Sequence, residues 1–153
     1  YYSAERGREY PQLGGNYEVV HHTQLLEHLI ETGELDVSQA SLEERITYHD
    51  SCYLGRHNDV YLAPRKIVGS IKGVQIVEMP RNGTQGMCCG AGGAQMFKDA
   101  EAGNKEVNIE RTEDALEVQP SIIAAGCPFC NTMMTDGVKL AEKEDSVKVM
   151  DVA

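Results

Sequence analysis

Apolar positions along this chain switch between two spacings, and the order of the switches predicts the fold class. In "YEVVHHTQLLEHLIETGEL" the residues Leu25, Leu26, Leu29 and Ile30 fall on one helical face and Gly33 stops the run, so an amphipathic helix is expected, with Thr23 as its candidate cap. "RITYHD" then reads as a short strand leading into Cys52. "YLAPRKIVGSIKG" is a helix that tolerates Pro64 only near its first turn, and "VQIVEM" is a buried strand. A glycine-rich stretch follows, then a long helical region from Ala94 to Leu116, broken near Gly103. "PSIIAAG" has strand length, "NTMMTDGVKLAE" is helical and "SVKVMDV" is a last strand. Residues 1–16 show neither period and read as an irregular lead-in or linker, leaving 17–153 as the domain.

Strands alternating with helices call for an α/β fold, a mainly parallel sheet with flanking helices. Ligands of such sheets lie beyond the carboxyl ends of the strands. Every cysteine falls there: Cys52 after "RITYHD", Cys88 and Cys89 a turn after "VQIVEM", Cys127 and Cys130 directly after "SIIAAG". Three distant segments are thereby expected to meet at one sheet edge.

Length and charge narrow the function classes. At 153 residues the chain can bury a core without disulfide staples. A formal charge of −10 with no basic run argues against polyanionic partners, so neither nucleic acid nor an anionic membrane surface is an expected ligand. No apolar run approaches the roughly 20 residues that span a bilayer. A first residue other than Met and a close on the strand-like "VKVMDVA" point to a piece of a larger protein.

Five cysteines are too few for a disulfide scaffold, and an odd number cannot pair completely within one chain. Cys127 and Cys130 form C-P-F-C after a strand and before a helix, which suits a thiol–disulfide oxidoreductase or half of a zinc site. With Cys88 and Cys89 the set could satisfy one structural zinc ion, making a zinc-stabilised interaction domain the non-enzymatic alternative. Adjacent cysteines nevertheless suit separate metal atoms or a bridge better than one tetrahedral ion, and Cys52 is surplus to zinc. Iron–sulfur clusters use Cys thiolates and backbone N–H donors to sulfur, and Gly90, Gly92 and Gly93 would let the chain come close.

The pattern C-x35-C-C-G-x36-C-x2-C is more specific than its parts. From about Tyr17 onward, "YHDSCYLGR", "GMCCGAGG" and "AAGCPFCNTMM" resemble the signature segments of the cysteine-rich CCG domain found in the family of heterodisulfide reductase and glycolate oxidase iron–sulfur subunits. The text around these segments is similar to the C-terminal part of actinobacterial membrane-bound iron–sulfur reductases that resemble electron-transfer-flavoprotein dehydrogenases. The resemblance implies that Cys52, Cys88, Cys89, Cys127 and Cys130 ligate a non-cubane 4Fe–4S cluster; the thiols themselves leave a smaller cluster or zinc open. It also implies an oxidoreductase in which this domain relays electrons from a flavoprotein or ferredoxin-like domain to a quinone or disulfide-type acceptor. The expected place is the cytoplasm, or its membrane face through a segment of the parent.

Around the cysteines, His49, Asp50 and His57 are candidates for supporting the ligands or handling protons. His21 and His22 read as ordinary residues at the first helix. Met133 and Met134 suit core packing. Glu101, Glu106, Glu110, Glu113, Asp114 and Glu117 make an acidic, solvated helix face, with a basic redox partner as the alternative reading.

Overall fold

The computed structural model describes residues 9–100 and 102–153. Half of the expected lead-in, 1–8, and Glu101 lie outside the described residues; a short 3-10 turn, Tyr10–Leu13, lies near the start of what is described.

Four strands form one all-parallel sheet: β1 (Arg45–His49), β2 (Gln75–Ile76), β3 (Ile122–Ala125) and β4 (Lys148–Asp151), in the order β2-β1-β3-β4. The helices are α1 (His22–Thr32), α2 (Leu62–Ser70), α3 (Val107–Glu117) and α4 (Pro128–Leu140). The two central strands are the most buried, as an α/β sheet covered on both faces requires. Alternation along them separates two cores. Ile46, Tyr48, Ile122 and Ala124 pack with Val68 of α2 on one face, and Ile123 packs with Ala115 of α3 and Met134 and Val138 of α4 on the other.

Register decides what stands beside what. His49 pairs with Ala125 at the carboxyl ends of β1 and β3, so the segments leaving these strands begin side by side. From β1 the chain moves outward to β2, and from β3 outward the opposite way to β4. The gap between β1 and β3 is therefore the topological switch point, where a parallel sheet opens its ligand crevice.

Three expectations need correction. The helix foreseen over Ala94–Leu116 forms only as α3, because Gly93 and Ala94 take left-handed backbone (φ 64° and 62°) and turn residues Gly92–Phe97 into a kinked 3-10 segment. "VQIVEM" pairs with β1 only over Gln75–Ile76; Val77 adds one N–H bond to Ile46, and the chain then leaves the edge through Pro80. The first helix is capped by His21, not Thr23: its Nδ1 accepts from the Thr23 N–H (3.3 Å), while Gln24 Oε1 accepts from the His21 N–H (3.2 Å).

Helices α3 and α4 touch through Gly137. A Cβ there would overlap Thr112 Oγ1, lie 2.9 Å from Thr112 Cβ and 3.2 Å from the Asn108 carbonyl oxygen. Gly137→Ala is expected to lose about 1–3 kcal/mol through overpacking, despite alanine's better helix propensity, read as a lower urea midpoint at unchanged m. An unchanged or raised midpoint would refute the close approach.

Candidate metal centre

Each cysteine group is delivered by a strand end. After β1 the chain passes Asp50 and Ser51 and starts a π-helical turn, Tyr53–His57, at Cys52. Beyond β2 it makes a 3-10 turn over Gly83–Gln85 before Cys88 and Cys89. After β3, Gly126 leads to Cys127 at the cap of α4, Pro128 takes the first helical position and Cys130 follows in the first turn. Thus α4 starts earlier than "NTMMTDGVKLAE" suggests, and C-P-F-C sits at the positive end of its dipole.

All five cysteines are free thiols, and their side chains form a continuous series: Cys52 meets Cys88, Cys88 meets Cys89, Cys89 meets Cys130 and Cys130 meets Cys127. The series has an inside and an outside. Cys89, Cys127 and Cys130 are buried with Ala125, whereas Cys52 and Cys88 are half-exposed. Gly90 allows the doublet to turn: its φ is +89°, its N–H donates to Cys88 Sγ at 3.3 Å, and a Cβ would lie 3.1 Å from Val107 Cβ.

Electrostatics show what this sulfur series lacks. Hydrogen bonds from Cys52 and then Cys89 hold the Cys88 thiol well below the ordinary range, assisted by the Gly90 N–H. The converse holds for Cys52, raised mainly by its bond to Cys88, and for Cys130, raised by its bonds to Cys127 and Cys89 and by burial. At Cys89 a bond with Cys130 works downward, but the bond with Cys88 and burial outweigh it and push the thiol up to about 11. Of these four thiols, Cys88 is the one most readily ionised. Cys52, Cys89 and Cys130 are harder to ionise, and cationic charge among the sulfurs, as a metal centre would supply, would offset this.

His49 is fully buried and held neutral, its pKa pushed down to about 3 by burial and then by the charge of Arg111. Arg111 Nε–H donates to His49 Nδ1 at 3.0 Å, while a ring nitrogen of His49 and the Sγ atoms of Cys89 and Cys130 all lie within 4.8 Å of one another. Asp50 does different work. It accepts from Arg65 Nη1 (2.8 Å) and Nη2 (3.0 Å) and from the Gly83 N–H (2.7 Å), tying the end of β1 to the loop that carries the doublet. His57 is exposed and stacks on Tyr53, and Gly92 and Gly93 lie at the surface with open space where a Cβ would go. Met134 is core, while Met133 packs partly buried against the cysteines.

His21 also serves the site, which its sequence position gives no reason to expect. It is buried, its Cε1 would lie 3.6 Å from a Cβ at Gly126, and it hydrogen-bonds to the Gly126 backbone immediately before Cys127. Burial, then the neighbouring His22, lowers its pKa from 6.5 to about 4. Between these values the unfolded chain binds a proton that the folded one refuses, so stability is full above pH 6.5 and falls toward pH 4. The expected slope from one such histidine is at most about 1.4 kcal/mol per pH unit. Urea midpoints at pH 7.5 and 5 should show it, and His21→Asn, which keeps a capping acceptor, should reduce the slope and leave the part that His49, also held neutral by burial, contributes. A slope unchanged in that variant would exclude His21 as a source.

Two residues of α3 escape a reading of the sequence. The charge pattern puts Asp114 on an acidic, solvated face and gives Arg111 no role, but both are buried and joined by Arg111 Nη1 to Asp114 Oδ2 at 3.0 Å. A signal is present: Asn108, Arg111, Thr112 and Ala115 share the inward face of α3 at i, i+3, i+4, i+7, so a cation stands on the buried stripe. Among the remaining acids, Glu110 pairs with Arg81 and Glu113 with Lys105, so the face is less charged than its composition.

Comparison with known proteins agrees with the sulfur chemistry. The chain is 54% identical over 144 residues to the "Probable iron-sulfur-binding oxidoreductase FadF" of Bacillus subtilis (strain 168), covering 94% of this chain and 20% of that protein. It is 48% identical over 151 residues to the "EtfAB:quinone oxidoreductase" of Syntrophomonas wolfei, covering 95% and 21%. It is also 38% identical over 136 residues to one of the subunits of the dihydromethanophenazine:CoB–CoM heterodisulfide reductase of Methanosarcina barkeri, covering 84% and 32%. The chain thus spans about a fifth of the length of the first two relatives. No solved structure matches it. The family described as "CCG: Cysteine-rich domain" matches residues 46–135, more than half of the chain, from β1 through the first half of α4. With its paired cysteines, its C-P-F-C and Cys52 gathered at one sheet edge, the chain belongs to the CCG cysteine-rich domain family.

Proposed function

We propose that this domain binds an iron–sulfur cluster through Cys52, Cys88, Cys89, Cys127 and Cys130 and serves as the electron-transfer domain of a heterodisulfide-reductase-like oxidoreductase. The observation that carries the reading is the unbroken thiol series built from three strand ends, one sulfur more than a tetrahedral zinc ion can use. When bound, the cluster supplies a centre that accepts and releases electrons. The chain's contribution is ligation and environment. Cys89, Cys127 and Cys130 close the inner side against water, Gly90 supplies an N–H to sulfur, and half-exposed Cys52 and Cys88 leave one side facing the electron partners.

The relatives' names support electron transfer, since they include an oxidoreductase described as iron–sulfur-binding and one described as acting between EtfAB and quinone. In our reading the donor is a flavoprotein or a ferredoxin-like domain of the parent, and the acceptor a quinone or a disulfide-type compound. Among the described residues no helix is long and apolar enough to cross a membrane. We place the domain in the cytoplasm or at its membrane face, held there by another segment of the parent.

Anaerobically prepared parent protein should contain iron and acid-labile sulfide assigned to this domain, with a visible chromophore that bleaches reversibly on reduction. Colourless protein holding one zinc ion and unfolding with chelator would favour the structural zinc domain. Metal-free folded protein with a reactive Cys127 thiolate would favour the thiol–disulfide oxidoreductase.

A further inference from the structure

The proposed ligands are all sulfurs, yet a buried imidazole stands against them with one nitrogen unused. His49 closes β1 on the face that packs under α3 and α4, in register with Ala125, which itself packs with Cys89, Cys127 and Cys130. Arg111 reaches it from α3. This guanidinium is fully buried: Nε donates to His49 Nδ1 at 3.0 Å, and Nη1 donates to the Arg81 carbonyl oxygen at 2.6 Å and to Asp114 Oδ2 at 3.0 Å, while Nη2 has no hydrogen-bond partner among the described residues. Arginine can only donate. The nitrogen of His49 that faces it must therefore be a bare acceptor, and the ring proton must sit on Nε2. Among the described residues His49 Nε2 is buried and has no hydrogen-bond partner, a costly state for a donor. A His49 ring nitrogen lies within 4.8 Å of the sulfurs of Cys89 and Cys130, and with Nδ1 engaged by Arg111 the nitrogen left to serve them is Nε2.

We propose that Arg111 is a positioning residue that fixes His49 as the Nε2–H tautomer, so that the imidazole is a hydrogen-bond donor to the sulfurs of the Cys89/Cys130 side rather than a metal ligand. This rests on the iron–sulfur reading above. Two consequences follow from the chemistry. A ring locked by Arg111 on one side and donating on the other cannot offer a lone pair to iron, so the thiolates remain the ligand set. A donor to cluster sulfur stabilises the more negative, reduced state and raises the reduction potential. Asp114 takes part at one remove, since it anchors Arg111 on the side away from the ring.

The test uses the anaerobically purified, cluster-loaded parent protein, in its EPR-active oxidation state, with histidine labelled by 15N selectively at Nε2 or at Nδ1. Pulsed EPR is expected to show one weakly coupled nitrogen from the Nε2-labelled sample and none from the Nδ1-labelled one, and His49→Ala should abolish it. Arg111→Met, with its iron content checked, should lose the same coupling because the ring is no longer held to one tautomer. Potentiometry supplies the second readout: His49→Ala should favour the oxidised cluster about tenfold, a fall of about 59 mV for one electron, and His49→Gln, whose amide N–H can stand where Nε2–H stood, should restore most of it. A strong coupling typical of bound imidazole, a coupling from Nδ1, or none in a loaded cluster would overturn the inference while leaving the cluster in place. A preparation without iron and sulfide would overturn the reading of the site and this inference together.

Discussion

Cys89→Ser will remove the cluster rather than merely weaken it: iron and acid-labile sulfide in the domain should fall to about a tenth or less of the wild-type level, and its visible chromophore should vanish. The reason is position within the thiol series. Cys89 is the link between the outer sulfurs, Cys52 and Cys88, and the inner pair, Cys127 and Cys130, and it is itself buried at 3% exposure. Serine keeps the size and the turn at Gly90 but substitutes a hard hydroxyl, with a pKa far above that of a thiol, in a place without water to solvate an alkoxide. Cys52→Ser, on the half-exposed side, should retain more iron because water can reach the vacant position. Far-UV circular dichroism separates ligand loss from unfolding. A Cys89→Ser protein that retained wild-type iron and spectrum would show that the doublet does not contribute both sulfurs, and the five-thiolate reading would fall.

The gathering of the cysteines is legible without the structure because thiols carry their own identity and strand ends are marked by apolar runs. "RITYH" and "SIIAAG" are such runs, and their all-parallel pairing brings Cys52 and C-P-F-C together through the register of His49 with Ala125. What stays hidden depends on contacts between elements. Nothing in "HHTQLL" tells that His21 rather than Thr23 caps the helix, since the choice is made where the buried ring meets Gly126. The kink at Gly93 and Ala94 is equally silent, because a left-handed alanine is set by its neighbours and not by helix propensity. The charged residues of α3 mislead in one direction: Glu110 and Glu113 do face outward, but Arg111 and Asp114 bury as a pair, and composition does not record pairing.

That pair yields the second large effect. Asp114→Ala is expected to lose about 3–5 kcal/mol of stability, because it leaves the wholly buried Arg111 guanidinium without the only carboxylate ion-paired with it among the described residues. Asp114 also accepts from Arg81 Nε at 2.7 Å and Nη2 at 2.9 Å, but Arg81 is 40% exposed and water can replace what it loses. Glu110→Ala, which breaks only the outer contact to Arg81, should therefore cost no more than about 1 kcal/mol. Urea unfolding of the two variants at pH 7.5 separates the cases, and equal midpoints would refute the burial argument. The double variant Asp114→Ala/Arg111→Met sharpens it further, since removing both charges should give a protein more stable than Asp114→Ala alone. Stability by itself then gives no reason to keep an arginine at this place in α3. Its Nε–H on His49, and through that ring the sulfurs of Cys89 and Cys130, gives one. The double variant should accordingly unfold late yet lose the histidine coupling to the cluster, and retention of that coupling without Arg111 would show that His49 needs no help to face the sulfurs.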